Sequence, residues 1–191
     1  MKVVAFSASP RKKGNSELMI RVVFGVLEEE GIETELVRIG CNPLQGCKAC
    51  NQCYENQDKE CIIGLDSFNE FVQKMIEADG IILASPMYFA DVTAEMKAFI
   101  DRCGMIGKAN GDLFQRKVGV AVVSMRRGGG IHAFDTINHF FLTSQMIIPG
   151  SSYWNVGLGG GPGEVEDDEE GLAAMELLGH NMAWLLKKIH S

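Results

Sequence analysis

Short apolar runs rich in β-branched residues alternate along the chain with longer stretches whose apolar positions recur every three to four residues. KVVAFS (2–7) predicts a strand covered on both faces, and SELMIRVVFGVLEEEG (16–31) predicts a helix closed by Gly31. ETELVRI (33–39) predicts a second strand, and SFNEFVQKMIEAD (67–79) resumes a helical period. GIILASP (80–86) is a third strand, followed by the helix VTAEMKAFIDRCG (92–104). KVGVAVVSM (117–125) is a fourth strand, IHAFDTINHFFLTSQM (131–146) a helix, and IIPGSSYWNV (147–156) an irregular fifth strand. EGLAAMELLGHNMAWLLKKIHS (170–191) closes as a helix.

Five β–α units with no internal repeat and no long linker imply one domain over residues 1–191, with a cysteine-rich insertion at about 41–65. Right-handed crossovers leave few arrangements for such a chain. The expected fold class is α/β, a flavodoxin-like three-layer sandwich on a five-stranded parallel sheet of order 2-1-3-4-5. Ligands of such sheets sit beyond the carboxyl ends of the strands, beside strands 1 and 3. The loops that follow the strands are therefore where chemistry is sought.

Composition narrows the choice. The 191 residues carry a net charge of −7, which argues against a general nucleic-acid binder. No stretch approaches the roughly 18 consecutive apolar residues of a membrane span. The opening MKVVAFSASP is too short in its apolar run for a secretory signal. A cytoplasmic location with reduced thiols is expected, and structural disulfides are not.

The loop SASPRKKGNS (7–16) joins the first strand to the first helix. Gly14 permits a turn, Asn15 or Ser16 is a good N-cap, and the helix start is a natural anion site. Ser7, Ser9 and Ser16 add hydroxyls, and Arg11 adds a fork suited to phosphate oxygens. No Gly-Lys-Ser/Thr follows, so this is not a Walker loop. Neither this loop nor GLGGGPG (157–163) has the dinucleotide fingerprint, so the phosphate of one mononucleotide fits best. After the third strand, Pro86 stops the ladder, and Met87, Tyr88 and Phe89 follow where a slot for a flat ring would lie.

SASPRKKGNS and SPMYFADVTAEMKAFIDR together resemble the phosphate loop and the flavin-ring loop of the NAD(P)H-dependent FMN reductase family. The resemblance implies that Ser9, Arg11, Asn15 and Ser16 hold the FMN phosphate, with Ser7 beside them. It implies that Pro86, Met87, Tyr88 and Phe89 wrap the ribityl chain and isoalloxazine. The family also uses the loop after strand 4, here SMRRGGG (124–130), where Gly128 allows close approach and Arg126 or Arg127 faces the ring edge or a nicotinamide phosphate. Of the two arginines, Arg127 is the one assigned to the site.

Four of the six cysteines, Cys47, Cys50, Cys53 and Cys61, fall in GCKACNQCYENQDKEC (46–61). Their spacing, C-x2-C-x2-C-x7-C, resembles a ferredoxin run more than the separated pairs of a zinc site. It also resembles the compact motif of the iron–sulfur flavoprotein branch of the same family. A [4Fe–4S] cluster, a cluster-free cysteine loop and zinc all stay open on the spacing. Cys103 reads as core, and Cys41 receives no role. His132 and His139, seven apart on a helix, read as incidental surface or packing groups, and no acid or base is named as catalytic.

The resemblance implies an FMN-dependent oxidoreductase that takes a hydride from NAD(P)H and passes electrons singly to the cluster. The alternatives are a cluster-free NAD(P)H-dependent FMN or quinone reductase, and a non-enzymatic flavodoxin-like carrier. Implied partners are further copies of the chain, as a homodimer or homotetramer, and a ferredoxin or small-molecule electron donor or acceptor.

Overall fold

A computed structural model describes all 191 residues. The strands β1 (Lys2–Ser7), β2 (Glu33–Arg38), β3 (Gly80–Pro86), β4 (Val118–Met125) and β5 (Val156–Leu158) form one parallel sheet of order β2-β1-β3-β4-β5. The helices are α1 (Asn15–Glu29), α2 (Gln52–Asn56), α3 (Phe68–Glu77), α4 (Ala94–Ala109), α5 (Gly130–Thr143) and α6 (Glu169–Ile189). This is the flavodoxin-like order expected from the alternation.

The strands are apolar on both faces because helices cover both. Val3, Ala5, Ile82, Ala84, Val120 and Val122 pack with Met19, Ile20 and Val23 of α1 and Met175, Leu178 and Met182 of α6. The alternate residues Val4, Phe6, Ile81, Leu83, Ala121 and Val123 pack with α3, α4 and α5 through Phe71, Met75, Met96, Phe99, Ile137 and Phe141. A period of two thus divides each strand between two cores. Phe99 is the hub of the second core, with ring centroids 4.9 Å from Phe6 and 5.8 Å from Phe68.

Two local expectations need correction. The fifth strand overlaps 147–156 only at Val156, where it begins, and Ile147 makes only an isolated bridge to Val118. Pro149, Gly150 and two serines interrupt the ladder, and Asn155 rejoins it by accepting from the Val123 N–H at 3.0 Å. The cysteine stretch also contains the short helix α2, which its polar sequence does not announce. No helix is long and apolar enough to cross a membrane.

Register places the loops. Ser7 pairs with Arg38 on one side and Ala84 on the other, and Pro86 pairs with Ser124. The segments after β1, β2, β3 and β4 therefore leave the sheet along one edge. The β1 side is tightened further, because the Ile39 and Gly40 N–H groups both donate to the Ser7 carbonyl, at 2.9 and 3.1 Å. A Cβ on Gly40 would come within 2.3 Å of the Ala8 carbonyl oxygen, so only glycine fits this approach.

Replacing Phe99 by Ala is expected to cost about 4 kcal/mol in urea-induced unfolding, the range for a large aromatic removed from a filled core. A loss under about 1 kcal/mol would show that the ring is not the hub described.

Candidate functional site

At the carboxyl edge lies a cleft of about 530 Å³, counting its open mouth, lined by Ser9, Arg11, Asn15, Pro86, Met87, Tyr88, Ser124, Met125, Arg126, Gly159 and Gly160. It has a cationic, hydroxyl-bearing end from the loop after β1 and an apolar end from the loop after β3. Arg11 and Tyr88 line the same cleft although 77 positions separate them.

The polar end is built for an anion. Gly14, not Asn15 or Ser16, is the N-cap of α1, and no side chain caps the helix. The backbone N–H groups of Lys12, Asn15 and Ser16 have no intramolecular acceptor. These donors, the positive helix end and the Arg11 guanidinium face a common need for negative charge. Beneath them Glu17 is buried, accepting from Arg21 Nη2 at 2.7 Å, from Arg38 Nη2 at 2.8 Å and from the Lys13 N–H at 3.2 Å. Burial alone would raise the Glu17 carboxyl, but the hydrogen bonds from Arg38, Arg21 and Lys13 outweigh it and bring it down to about 2.

Asn15 and Ser16 are buried, and their side chains reach neighbouring elements. The Asn15 side chain donates to the Gly159 and Gly161 carbonyls at 3.0 and 2.9 Å, and its Oδ1 accepts from the Gly163 N–H at 2.9 Å. It sews the glycine-rich loop after β5 to the loop after β1. The Ser16 hydroxyl is 2.7 Å from the Ser124 hydroxyl, in a buried pair that joins α1 to β4. Ser7 is buried at the end of β1 and does not line the cleft. Ser9 and Arg11 remain the side chains of this loop with free donors toward the opening.

At the other end, Tyr88 and Asp91 close a two-residue hairpin, donating to each other's carbonyls at 2.8 and 3.1 Å. The two central residues, Phe89 and Ala90, have φ of 47° and 67°, positions usually filled by Asn-Gly. The turn throws Phe89 wholly into solvent, so it is not a wall of the cleft as expected; Pro86, Met87 and Tyr88 are. The loop after β4 divides between two hollows. Arg126 lines the cleft, whereas Arg127 lies in a neighbouring hollow with Tyr153 and Trp154, and Gly128 has open space around it. Gly129, at φ +84°, is the glycine that this turn requires.

Ser124, Met125, Gly159 and Gly160 line the cleft without having been singled out. GLGGGPG is conspicuous in the sequence for its glycines, although it lacks the dinucleotide spacing. Its glycines serve close packing: a Cβ on Gly159 would meet Asn15 Nδ2 at 2.6 Å and the Val165 nitrogen at 2.8 Å.

The cysteine segment begins on the same edge, with Cys41 Sγ 3.7 Å from the Pro10 carbonyl. Cys47 and Cys50 are exposed, while Cys53 and Cys61 are half-buried. Ala49 and Asn51, which separate the first three cysteines, are both left-handed, with φ of 51° and 60°. They wind the backbone so that the Ala49 N–H donates to Cys47 Sγ at 3.4 Å. Burial raises the Cys53 thiol above its ordinary value, and the nearby Cys47 and Cys50 push the same way. The Cys61 N–H donates to Asn69 Oδ1 at 2.9 Å while Asn69 Nδ2 donates to the Cys61 carbonyl at 3.0 Å. The donor set is all thiol and fits an iron–sulfur centre in chemistry, although no three His, Cys, Asp or Glu side chains are gathered into a metal site here. Cys103 is fully buried, as expected of a core residue.

Two outcomes follow. Glu17 is ionised in the fold down to about 2 against an ordinary 4.5, so its stabilisation is complete above 4.5 and is lost as pH falls through 2. Glu17→Gln is expected to lower stability at neutral pH by about 3 kcal/mol and to flatten the acid limb of a melting-temperature profile. Ala90→Gly relieves one left-handed residue and is expected to add about 1 kcal/mol in chemical denaturation.

Comparison with known proteins extends the picture. The family model for NADPH-dependent FMN reductases matches residues 1–161. An iron–sulfur flavoprotein of Methanocaldococcus jannaschii is 39% identical, covering 99% of both chains. An iron–sulfur flavoprotein of Methanosarcina thermophila is 36% identical over 86% of this chain and 85% of that one. Among solved structures, RosB superposes over all of this chain and 80% of its own with a TM-score of 0.78 at 19% identity, a likeness of fold. A family match across the sheet and its loops, with relatives similar over nearly full length, means that this chain belongs to the NADPH-dependent FMN reductase family, on its iron–sulfur flavoprotein branch.

Proposed function

We propose that this chain is an FMN-dependent oxidoreductase that couples two-electron transfer from NAD(P)H to one-electron transfer through an iron–sulfur centre. The observation that carries the reading is a single cleft with an anion cradle at one end and an apolar, tyrosine-bearing wall at the other. A phosphorylated isoalloxazine has those two ends. The free N–H groups of Lys12, Asn15 and Ser16, with Ser9 and Arg11, hold the phosphate. Pro86, Met87 and Tyr88 flank the ring, and Arg126, which also lines the cleft, offers a cation to an anionic co-substrate. The side chains of Asn15, Ser16 and Glu17 keep the cradle's loops in place.

Bound flavin would supply both hydride acceptance and single-electron release, and the protein's part is position and electrostatics. Cys47, Cys50, Cys53 and Cys61 are the proposed ligands of the cluster, which handles one electron at a time. The names of the relatives and the all-thiol donor set support this assignment. Exposed apolar side chains beside the cleft, Tyr88, Phe89, Tyr153 and Trp154, support an even homo-oligomer that covers them. A ferredoxin or a small molecule is the proposed electron partner.

Anaerobically purified protein is expected to show flavin bands over a broad brown absorbance, with iron and sulfide recovered together, and to bleach on mixing with NADPH or NADH. Arg11→Ala is expected to weaken FMN binding about ten- to a hundredfold in a fluorescence titration. Flavin without iron would leave a cluster-free reductase, and bleaching only by a protein donor would leave a carrier. A chain that neither retains nor takes up FMN would sink the reading entirely.

A further inference from the structure

Arg102 lies midway along α4 and is 1% exposed, and nothing in the flavin cleft uses it. Its Nη1 donates to Asp66 Oδ2 at 2.5 Å and to the Gln45 carbonyl at 3.2 Å, and its Nη2 donates to the Ile63 carbonyl at 2.9 Å. The guanidinium carbon sits 3.9 Å from the centre of the Phe68 ring. Asp66 returns the grip, accepting from the Gln45 N–H at 3.0 Å and the Phe68 N–H at 3.3 Å.

The positions gripped are informative. Gln45 stands just before Cys47, and Ile63 just after Cys61. One buried cation therefore holds the chain at both ends of the cysteine segment. A buried ion pair is a poor way to gain stability, since apolar residues of similar volume do as well. Holding two main-chain carbonyls and a carboxylate at a set separation is what a rigid fork does and an apolar side chain or a lysine cannot.

The rest of α4 continues the attachment. Gln57 Nε2 donates to the Ala109 carbonyl at 3.3 Å, and the Lys59 N–H donates to Asn110 Oδ1 at 3.1 Å. At its other end α4 starts just behind the Tyr88 hairpin, capped by Thr93, whose N–H donates to Ser85 Oγ at 3.1 Å. One helix thus carries the aromatic wall of the cleft at its start and the cysteine segment along its body.

We propose that Arg102 is the positioning residue of the cysteine segment: it sets the separation of the segment's ends and so the presentation of Cys47, Cys50, Cys53 and Cys61 to an iron–sulfur centre, at a fixed place relative to the flavin loop. This rests on the reading of those cysteines as ligands. It does not rest on Arg102 touching the centre.

Arg102→Met alone would strand a buried carboxylate, so the informative variants are R102M/D66N, which removes both charges, and R102K, which keeps a charge without the fork. Both are measured as holoprotein purified anaerobically. Each is expected to melt cooperatively and to bind FMN as the parent does. Iron and sulfide per flavin should fall about tenfold in R102M/D66N, the usual scale for losing an outer-shell support, and less in R102K. The electron paramagnetic resonance signal of the reduced centre should shift in whatever fraction still loads. Amide exchange across residues 45–63 should quicken in cluster-free protein, while β1 and β3 stay as in the parent. Parental iron content with parental exchange in R102M/D66N, or in R102K should the double variant not fold, overturns the proposal. A parent chain that loads no iron sinks the ligand reading, whereas unchanged exchange at 45–63 sinks the clamp, so the two failures are separable.

Discussion

The register of the parallel sheet is the constraint on which the rest depends. Strands that end level with one another must release their loops along one edge, and here Ser7 is level with Arg38 and Ala84, and Pro86 with Ser124. Backbone leaving a ladder has donors and acceptors without strand partners. Some are met locally, as when Ser7 accepts from two N–H groups of the chain after β2. Those at the start of α1 are left open, because the first turn of a helix has no acceptors for its N–H groups. The sheet edge sets where these open donors lie.

Charge beneath the loops of this acidic chain is handled by pairing. Arg21 and Arg38 share the Glu17 carboxylate, and Arg102 is paired with Asp66. The two networks do parallel work on two loops. Glu17 braces the loop after β1 from below, and Arg102 braces the segment after β2 from the side. Arg102 and Asp66 bury a pair whose value lies in geometry more than in net stabilisation. Between them Asn15 fastens the glycine loop that forms the remaining wall of the cleft.

Strands and helices were legible because both are periodic. Apolar alternation and helical spacing located every strand but the last to within a residue or two. β5 was misplaced because an edge strand of three residues has no period to read, and its neighbours in the chain are as apolar as it is. The loops after β1 and β3 were legible as a pair. Their residues were less so, since a hydroxyl or amide near a phosphate loop reads the same in sequence whether it faces ligand or holds a neighbour. The Asn15 and Ser16 side chains hold neighbours, and Asn15 lines the cleft as well. Phe89 was misjudged because aromatic character suggested a wall, whereas a two-residue hairpin turns it outward. Arg102 was invisible, sitting in a helical stretch as one cation among many.

The order of residues by itself determined the layered α/β architecture, the edge on which the cleft lies, and the sulfur-rich segment with its cysteine spacing, because each follows from local periodicity or composition. Tertiary structure alone decided which of two adjacent arginines lines the cleft, which polar groups face it and which are occupied beneath it, and that one buried guanidinium ties both ends of the cysteine segment. Those outcomes turn on contacts between residues tens of positions apart, which exist only once the strands are in register and the helices are packed against them.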